Sequence, residues 1–279
     1  MNTFIKSKVF RVFAHILLLT GVITMILPFV YMICLSFMTD KQIFSGGVSF
    51  IPAPFTVENY FYVVKNSDIF RYFFNSMVVA LLTTLGQVII SAMAGYAFAR
   101  FTFKYKEVLF FLIIVSMMIP SQVNIVPLFF IMKQLNWINT YYALIVPGLF
   151  GGFGVFMMCQ YFKSMPKDIE TAAKIDGCNE FEVFYKIAIP LALPCLITLA
   201  IFTFIGSWNS FMWPLIVTHS ETMRTLPLGL AEFKGSFREM TDWGALCAYS
   251  AVCSVPVISV FILGRKYLIN DILNGGIKE

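Results

Sequence analysis

The sequence predicts an all-α integral membrane protein with six transmembrane helices and both termini in the cytoplasm. Of its 279 residues, 59% are hydrophobic and only 13% are charged, which is too little charge to cover the surface of a soluble domain. Six apolar stretches contain no Asp, Glu, Lys or Arg, and a helix needs roughly 20 such residues to cross a bilayer. The basic residues are concentrated in alternate connecting segments, which indicates a defined orientation in the membrane.

The predicted spans follow one another along most of the chain. The first begins after three basic residues, as a secretory signal does, but its apolar run is too long and no small-x-small cleavage site follows it. We therefore expect a retained helix. The six spans are residues 12–37, 72–98, 108–132, 141–162, 187–218 and 244–264.

The distribution of Lys and Arg predicts the topology. If the N-terminus is cytoplasmic, the inner segments carry 13 of these residues and the outer segments carry 7, in agreement with the positive-inside rule. Topology therefore accounts for the net charge of +5, and nucleic acid is not an expected partner because no basic stripe is interleaved with aromatic residues. The inner segments are 1–11, 99–107, 163–186 and 265–279, the outer ones are 38–71, 133–140 and 219–243, and the transmembrane domain is 12–264.

The outer segment 38–71 is broken by Gly46, Gly47, Pro52 and Pro54. It is too polar to span the membrane and too long for a tight turn. We expect it to form a small extracytoplasmic cap.

Small residues recur at four-residue spacing in two spans. The second span has Ser91, Gly95 and Ala99, and the fourth has Gly148 and Gly152. Such spacing lets helix backbones approach closely in lipid. It is compatible with packing inside this chain and with contact to a second membrane subunit.

The fifth span contains Pro190, Pro194 and Pro214. Each proline removes an intrahelical hydrogen bond, so we expect a kinked helix. Broken backbone at membrane depth is tolerated where it lines a cavity, and this span is therefore the predicted translocation path.

The cytoplasmic segment 163–190 predicts a short helix followed by a turn. Pro166 favours a helix start, and Asp168 and Glu170 place negative charge in the first turn, where the helix dipole favours it. Gly177 can adopt the left-handed conformation that ends the helix.

One face of this helix and the residues after the turn indicate an elbow. Ile169, Ala172 and Ala173 share a face and form a small apolar patch suited to a groove. Asn179 and Glu182 have the spacing of a capping box, which predicts a second helix. The elbow could equally be an amphipathic connector lying on the membrane surface.

Other chemistries find no support in the sequence. His15 and His219 lie at opposite membrane faces in the predicted topology, so no metal site is expected, and no nucleophile–base pair indicates a catalytic site. No G-x-x-x-x-G-K-[ST] loop is present to bind ATP, and the spans lack the charged residues that ion-coupled transporters use. The six cysteines have no C-x-x-C spacing: Cys34, Cys159, Cys178, Cys195, Cys247 and Cys253.

Segment 163–190 resembles the EAA loop of ABC importer permeases, whose pattern is E-A-A, two or three residues, Gly, nine residues, I-x-L-P. Thr171 stands where the pattern has Glu, and Ile189 stands where it has Leu. Glu170 could supply the missing carboxylate, although it lies about 100° around the helix. The matching residues are Ala172, Ala173, Gly177, Ile187 and Pro190.

Further segments resemble the smaller, six-helix permease of the maltose-type carbohydrate importers. They occur in the order that the family shows, which makes the resemblance specific. They are residues 55–60 (FTVENY), 118–122 (MIPSQ), 208–209 (WN), 213–215 (WPL), 226–230 (LPLGL) and 242–244 (DWG), with a similar ending at 275–278.

This resemblance implies the type I ABC importer permease fold in a bacterial-type plasma membrane. It also implies a heterodimer with a second permease, two cytoplasmic ATPase subunits that use ATP and Mg, and an extracytoplasmic sugar-binding protein. This chain would hold no cofactor and carry no catalytic residue. The EAA loop would contact the ATPase through Glu170, Thr171, Ala172, Ala173, Asp176 and Gly177.

A neutral sugar suits the uncharged spans, because amides, hydroxyls and aromatic faces recognise an uncharged polyol. Each candidate also has a structural alternative: Trp213 as an anchor at the membrane interface, Trp208 as a packing residue, and the amides of the third span as interhelical hydrogen bonders. The substrate-path candidates are Gln122, Asn124, Ser207, Trp208, Asn209 and Trp213.

Overall fold

A computed structural model of the chain describes residues 8–45, 47, 49–235 and 242–276. All of the regular structure in these ranges is helical, as the sequence predicts. Residues 1–7 of the predicted N-terminal segment and residues 277–279 of the predicted tail lie outside the described part. The predicted division of the chain into segments therefore stays an expectation.

Within the described ranges, fifteen α-helices follow one another. They are α1 (Lys8–Ser36), α2 (Asp40–Ile43), α3 (Glu58–Asn66), α4 (Ile69–Arg100), α5 (Lys106–Met118), α6 (Ile125–Gln134), α7 (Tyr141–Ile145), α8 (Gly152–Ser164), α9 (Lys167–Ile175), α10 (Glu180–Val183), α11 (Ile189–Leu191), α12 (Leu193–Trp208), α13 (Met212–Val217), α14 (Leu226–Gly235) and α15 (Trp243–Gly276).

Four helical segments are long and apolar enough to cross a membrane, and two bent pairs reach this length only when each pair is taken together. The described chain therefore has four candidate spans, or six if each bent pair crosses as one, and the predicted number corresponds to the second count. The four are Phe10–Ser36, Ile69–Arg100, Tyr141–Ser164 and Trp243–Tyr267, and the pairs are Lys106–Met118 with Ser121–Gln134 and Glu180–Leu191 with Leu193–Trp208.

The third predicted span is not one continuous helix. The chain bends by 96° between α5 and α6, at Ile119 and Pro120. Ile119 has extended backbone, with φ −82° and ψ 119°, because a following proline disfavours the helical conformation. The predicted span over 108–132 is thus present only as a bent pair of helices, and the break was not predicted from the sequence.

The fifth predicted span is kinked, as its prolines predict. Its axis bends by 73° between the segments that end at Leu191 and begin at Leu193. Pro194 lies in the first turn of α12, where its missing N–H leaves no hydrogen bond unmade. A second break separates α12 from α13 around Ser210.

The chain divides into two compact units. The first consists of Met1–Ile69 and Gly229–Val255, and the second of Phe70–Leu228 and Pro256–Glu279.

In the first unit, the predicted cap is anchored by a buried asparagine. Asn59 donates from Nδ2 to the backbone oxygens of Ser36, at 2.9 Å, and Met38, at 2.8 Å. These carbonyls at the end of α1 would otherwise lack a partner. Gly244 lies so close that a Cβ there would be 2.6 Å from Asn59 Nδ2, which explains why a glycine suits this position.

In the second unit, α4 and α8 approach closely through small residues. A Cβ at Gly95 would lie 2.5 Å from Met158 Cβ and 2.8 Å from the backbone nitrogen of Cys159. One turn earlier in each helix, Gly154 of α8 lies against Ser91 of α4. These contacts support packing inside the chain as the role of this spacing.

Candidate functional site

Residues 163–190 form the predicted helix–turn–helix elbow. The first helix, α9, begins after Pro166 and carries Asp168 and Glu170 in its first turn. Past its end, Gly177 has φ +93°, a left-handed conformation that favours glycine. The predicted start and stop of this helix are confirmed.

The second helix of the elbow begins at the predicted capping box. The Asn179 side chain accepts from the backbone N–H of Glu182 at 2.9 Å, and the Glu182 carboxylate accepts from the backbone N–H of Asn179 at 3.0 Å. From α10 the chain continues through a π-helical turn, Phe184–Ala188, into α11. An ion pair between Lys174 and Glu180 joins the two helices of the elbow.

The exposed face of α9 differs from the predicted patch. Ile169 and Ala172 are exposed, but Ala173 is buried. Ile175, which the prediction omitted, is 81% exposed. The predicted patch is therefore wrong at Ala173. A helix that is fixed to its own protein must bury one side, and Ala173 lies on that side together with Glu170, three residues earlier.

The carboxylate of Glu170 is bound inside the chain. Its Oε1 accepts from Arg100 Nε at 2.7 Å, and both side chains are buried. In this chain the carboxylate of Glu170 is thus engaged by Arg100, which does not support a role for it in place of the carboxylate missing at Thr171. Apart from the buried Ala173, the other predicted contact residues on the elbow are exposed: Thr171, Ala172, Asp176 and Gly177.

The second unit contains a cavity of about 700 Å³. Its wall is formed by α4, by the break between α5 and α6, and by α12 with the break that follows it. The cavity thus lies along the fifth predicted span, where the sequence places the translocation path. Irregular backbone from two spans borders it, in agreement with the rule that broken helices in a membrane line cavities.

Four of the six substrate-path candidates line this cavity, and two do not. Trp213 is held in the wall because its Nε1 donates to the backbone oxygen of Ala143 at 2.8 Å. Asn124 is exposed but lies outside the lining. The lining candidates are Gln122, Ser207, Asn209 and Trp213.

Trp208 is buried rather than exposed to the cavity. Only 1% of its surface is accessible. Its ring stacks on Phe204 with centroids 5.8 Å apart and meets the edge of Phe73 at 5.5 Å. The structure therefore supports the packing alternative for Trp208.

Sequence reasoning missed a polar stripe on α4. Ser76, Thr83 and Gln87 all line the cavity. The Thr83 hydroxyl is buried and has no hydrogen-bond partner among the described residues. Because residues seven and eleven apart share a helix face, the spacing of these polar residues in a largely apolar span could have identified them.

Among the described residues, no side chain that lines the cavity is charged. Its polar groups are the amides of Gln87, Gln122 and Asn209 and several hydroxyls, and its apolar groups include aromatic rings. Gly206 also lies in the wall, and a Cβ at this position would have no atom within 4 Å. The cavity therefore offers hydrogen bonds and ring faces, and it has free space at one glycine.

The described ranges give no indication of a metal site or of a disulfide. Within them, no three His, Cys, Asp or Glu side chains are grouped so that they could hold a metal ion. None of the six cysteines, all of which lie in these ranges, takes part in a disulfide.

The family described as binding-protein-dependent transport system inner membrane component matches residues 87–270 of the chain. The matched region includes the elbow and most of the cavity wall. The residues that carry the geometry above therefore lie mainly within it.

Two curated proteins are similar over nearly the whole chain. The arabinooligosaccharides transport system permease protein AraQ of Halalkalibacterium halodurans is 34% identical over 256 residues, which are 91% of each chain. The trehalose/maltose transport system permease protein MalG of Thermococcus litoralis is 33% identical, over 96% of this chain and 98% of the relative.

A solved structure shares the fold. A chain of a bacterial ABC transporter involved in the import of the acidic polysaccharide alginate superimposes with a TM-score of 0.84. The superposition covers 93% of this chain and 96% of that chain at 20% sequence identity.

Proposed function

Since this chain belongs to the family of binding-protein-dependent transport system inner membrane components and is thus a permease subunit of an ABC importer, we propose that it moves a neutral sugar, in particular an oligosaccharide, across the membrane. The uncharged cavity carries this proposal. A charged cargo would lose its hydration there without an opposite charge from this chain to compensate it. A neutral polyol can instead exchange hydrogen bonds with amides and hydroxyls and lie against aromatic faces.

The named relatives support a carbohydrate cargo. AraQ and MalG are named for arabinooligosaccharides and for trehalose and maltose, which are uncharged. The structural neighbour imports an acidic polysaccharide, and its fold therefore does not decide the charge of the cargo. For this chain, the uncharged cavity lining supports a neutral cargo.

The exposed face of the elbow is the proposed contact with the ATPase. Ile169, Ala172 and Ile175 present an apolar surface that suits a groove. The turn at Gly177 fixes the angle between this helix and the one that leads to the cavity. ATP hydrolysis itself is carried out by separate subunits.

The assembly that we propose contains a second permease, two ATPase subunits and an extracytoplasmic sugar-binding protein. In it this chain crosses a bacterial-type plasma membrane six times, with the elbow and both termini in the cytoplasm. The positive-inside count supports this orientation. The ATPases bind ATP and Mg on their own residues, and the second permease supplies the other half of the sugar path.

Uptake by the complete complex in proteoliposomes tests this proposal. Liposomes that contain ATP should accumulate a labelled neutral oligosaccharide when the cognate binding protein is added, and liposomes that contain a non-hydrolysable ATP analogue should not. A matched uronate-containing oligosaccharide serves as the charged comparison. Uptake of the charged sugar alone would contradict a neutral cargo, and uptake without ATP would contradict the importer.

A further inference from the structure

We propose that Arg100 is a positioning residue that fixes the elbow to the cavity helix α4, so that movement of the elbow is transmitted to the cavity wall. This inference rests on the proposed function, because it gives a role to the same elbow and the same cavity. It concerns a contact inside this chain rather than the contact with the ATPase.

Arg100 binds the elbow at two points. It is the last residue of α4, and its Nε donates to Glu170 Oε1 on α9 at 2.7 Å. Its Nη2 donates to the backbone oxygen of Met165, just before α9, at 3.1 Å. One guanidinium thus holds the first helix of the elbow and the segment that leads into it.

The ion pair is buried, which makes it a rigid connection. The exposed fractions of the Arg100 and Glu170 side chains are 6% and 8%. Separating two buried charges leaves each without compensation in a medium of low dielectric constant. Small movements of α9 should therefore carry Arg100 with them instead of breaking the pair.

A second contact ties the other helix of the elbow to the same turn of α4. Tyr96 lies one turn before Arg100, and its ring centroid is 5.0 Å from that of Phe184, which follows α10. It also meets the edge of Phe162 on α8 at 5.3 Å. Both helices of the elbow are thus attached to the end of α4.

The other part of α4 forms the cavity wall. Ser76, Thr83 and Gln87 line the cavity and belong to the same continuous helix of 32 residues as Arg100. A helix resists bending over this length because its backbone hydrogen bonds are unbroken. Displacement of the elbow should therefore displace the polar stripe that faces the cargo.

Removal of the connection should uncouple ATP hydrolysis from uptake. The face of α9 that we assign to the ATPase stays exposed without Arg100, so docking and hydrolysis should continue. The elbow would then move without α4, and the cavity wall would not follow. A residue with a merely structural role would instead lower the amount of assembled complex and leave the number of sugars moved per ATP unchanged.

The test compares uptake per ATP hydrolysed in proteoliposomes of the complete complex. The variants are Arg100→Met, and the double variant Arg100→Met with Glu170→Leu, which leaves no unpaired buried charge and is designed to assemble. Both should retain ATPase activity that the binding protein stimulates, with uptake per ATP at least tenfold lower than in the wild type. Arg100→Lys, which keeps the charge near Glu170, should recover part of the loss.

Lys106→Met is the matched control. Lys106 lies in the same predicted inner segment and donates to the backbone oxygen of Phe101 at 2.9 Å, which is outside the elbow, and it is not among the described residues that line the cavity. Its uptake per ATP should equal that of the wild type. A normal ratio in the assembled double variant would overturn the role of Arg100. The wild-type complex reports separately on the proposed function, which fails if ATP drives no uptake.

Discussion

Trp208 and Asn209 are neighbours in the chain, but they have opposite surroundings. The Trp208 ring is buried between Phe204 and Phe73, and Asn209 is exposed in the cavity wall. One side chain therefore contributes to packing, and the other is available to the cargo.

Alanine substitutions at these two positions should separate stability from transport. Trp208→Ala should cost about 3–5 kcal/mol of stability, because it removes a large buried ring, and should lower the amount of protein in the membrane. Asn209→Ala should leave that amount unchanged and reduce uptake per inserted molecule up to about tenfold, since a lost hydrogen bond costs about 0.5–1.5 kcal/mol. Quantitative blotting together with sugar uptake measures both effects. Unchanged uptake per molecule in Asn209→Ala would remove this residue from the sugar path.

Partners that are distant in the sequence could not be predicted from it. Arg100 and Glu170 are separated by 70 positions, and each lies in a segment whose charges the topology and the helix dipole already explain. Their pairing depends on how α4 and α9 pack. The surroundings of Trp208 could not be predicted from the sequence either. An aromatic residue in an apolar span is equally compatible with packing and with stacking on a sugar.

At the scale of helices and turns, the angle of the elbow depends on one glycine. Gly177 has a left-handed backbone, and a Cβ there would have no atom within 4 Å. Within this chain, a Cβ at this position would therefore act through backbone strain and not through crowding.

Gly177→Pro should abolish uptake while the protein stays in the membrane. Proline fixes φ near −65°, which is incompatible with the φ of +93° found here, so the two helices of the elbow cannot keep their angle. Gly177→Asn should have a smaller effect, because asparagine tolerates a left-handed backbone better than other residues. Membrane abundance and uptake are measured together.

Gly21→Ala is the control for the turn. A Cβ at Gly21 would also have no atom within 4 Å, but Gly21 lies inside α1. It should transport normally. Normal uptake in a correctly inserted Gly177→Pro variant would contradict the role of the turn.

Helix ends were predictable where a local signal sets them. The capping box at Asn179 and Glu182 and the stop at Gly177 involve residues that are close in the sequence, so their geometry follows from the local backbone. The bend at Pro120 was missed, because a proline inside a long apolar run can either kink a helix or break it, and packing of the surrounding helices decides between the two.

At the scale of the whole molecule, hydropathy predicted the class of the protein, but it could not predict the cavity. Apolar composition records burial in lipid or protein and contains no information about which face meets water. The stripe of Ser76, Thr83 and Gln87 was the available signal. It becomes interpretable only when α4 is placed opposite the breaks in the third and fifth predicted spans.

Enlarging the side chain at Gly206 should change the size of sugar that the complex accepts. A Cβ at Gly206 would have no atom within 4 Å, so Gly206→Leu should extend its side chain into the cavity. It should also favour the helix, because glycine in a helix interior costs about 0.5–1 kcal/mol relative to alanine. Uptake of longer oligosaccharides should fall more than uptake of disaccharides, at unchanged membrane abundance. An equal loss for all lengths would show that this part of the cavity does not set cargo size.

The empty space beside Gly206 also bears on how such a transporter can evolve. Most substitutions in a packed protein alter fold and function together, and selection must then repair one to improve the other. At this position a single substitution can narrow the cavity at little cost to folding, because a Cβ there would have no atom within 4 Å. One substitution at this position could thus change the range of sugars that the transporter accepts. The reverse substitution could restore the original range when the available carbohydrates change.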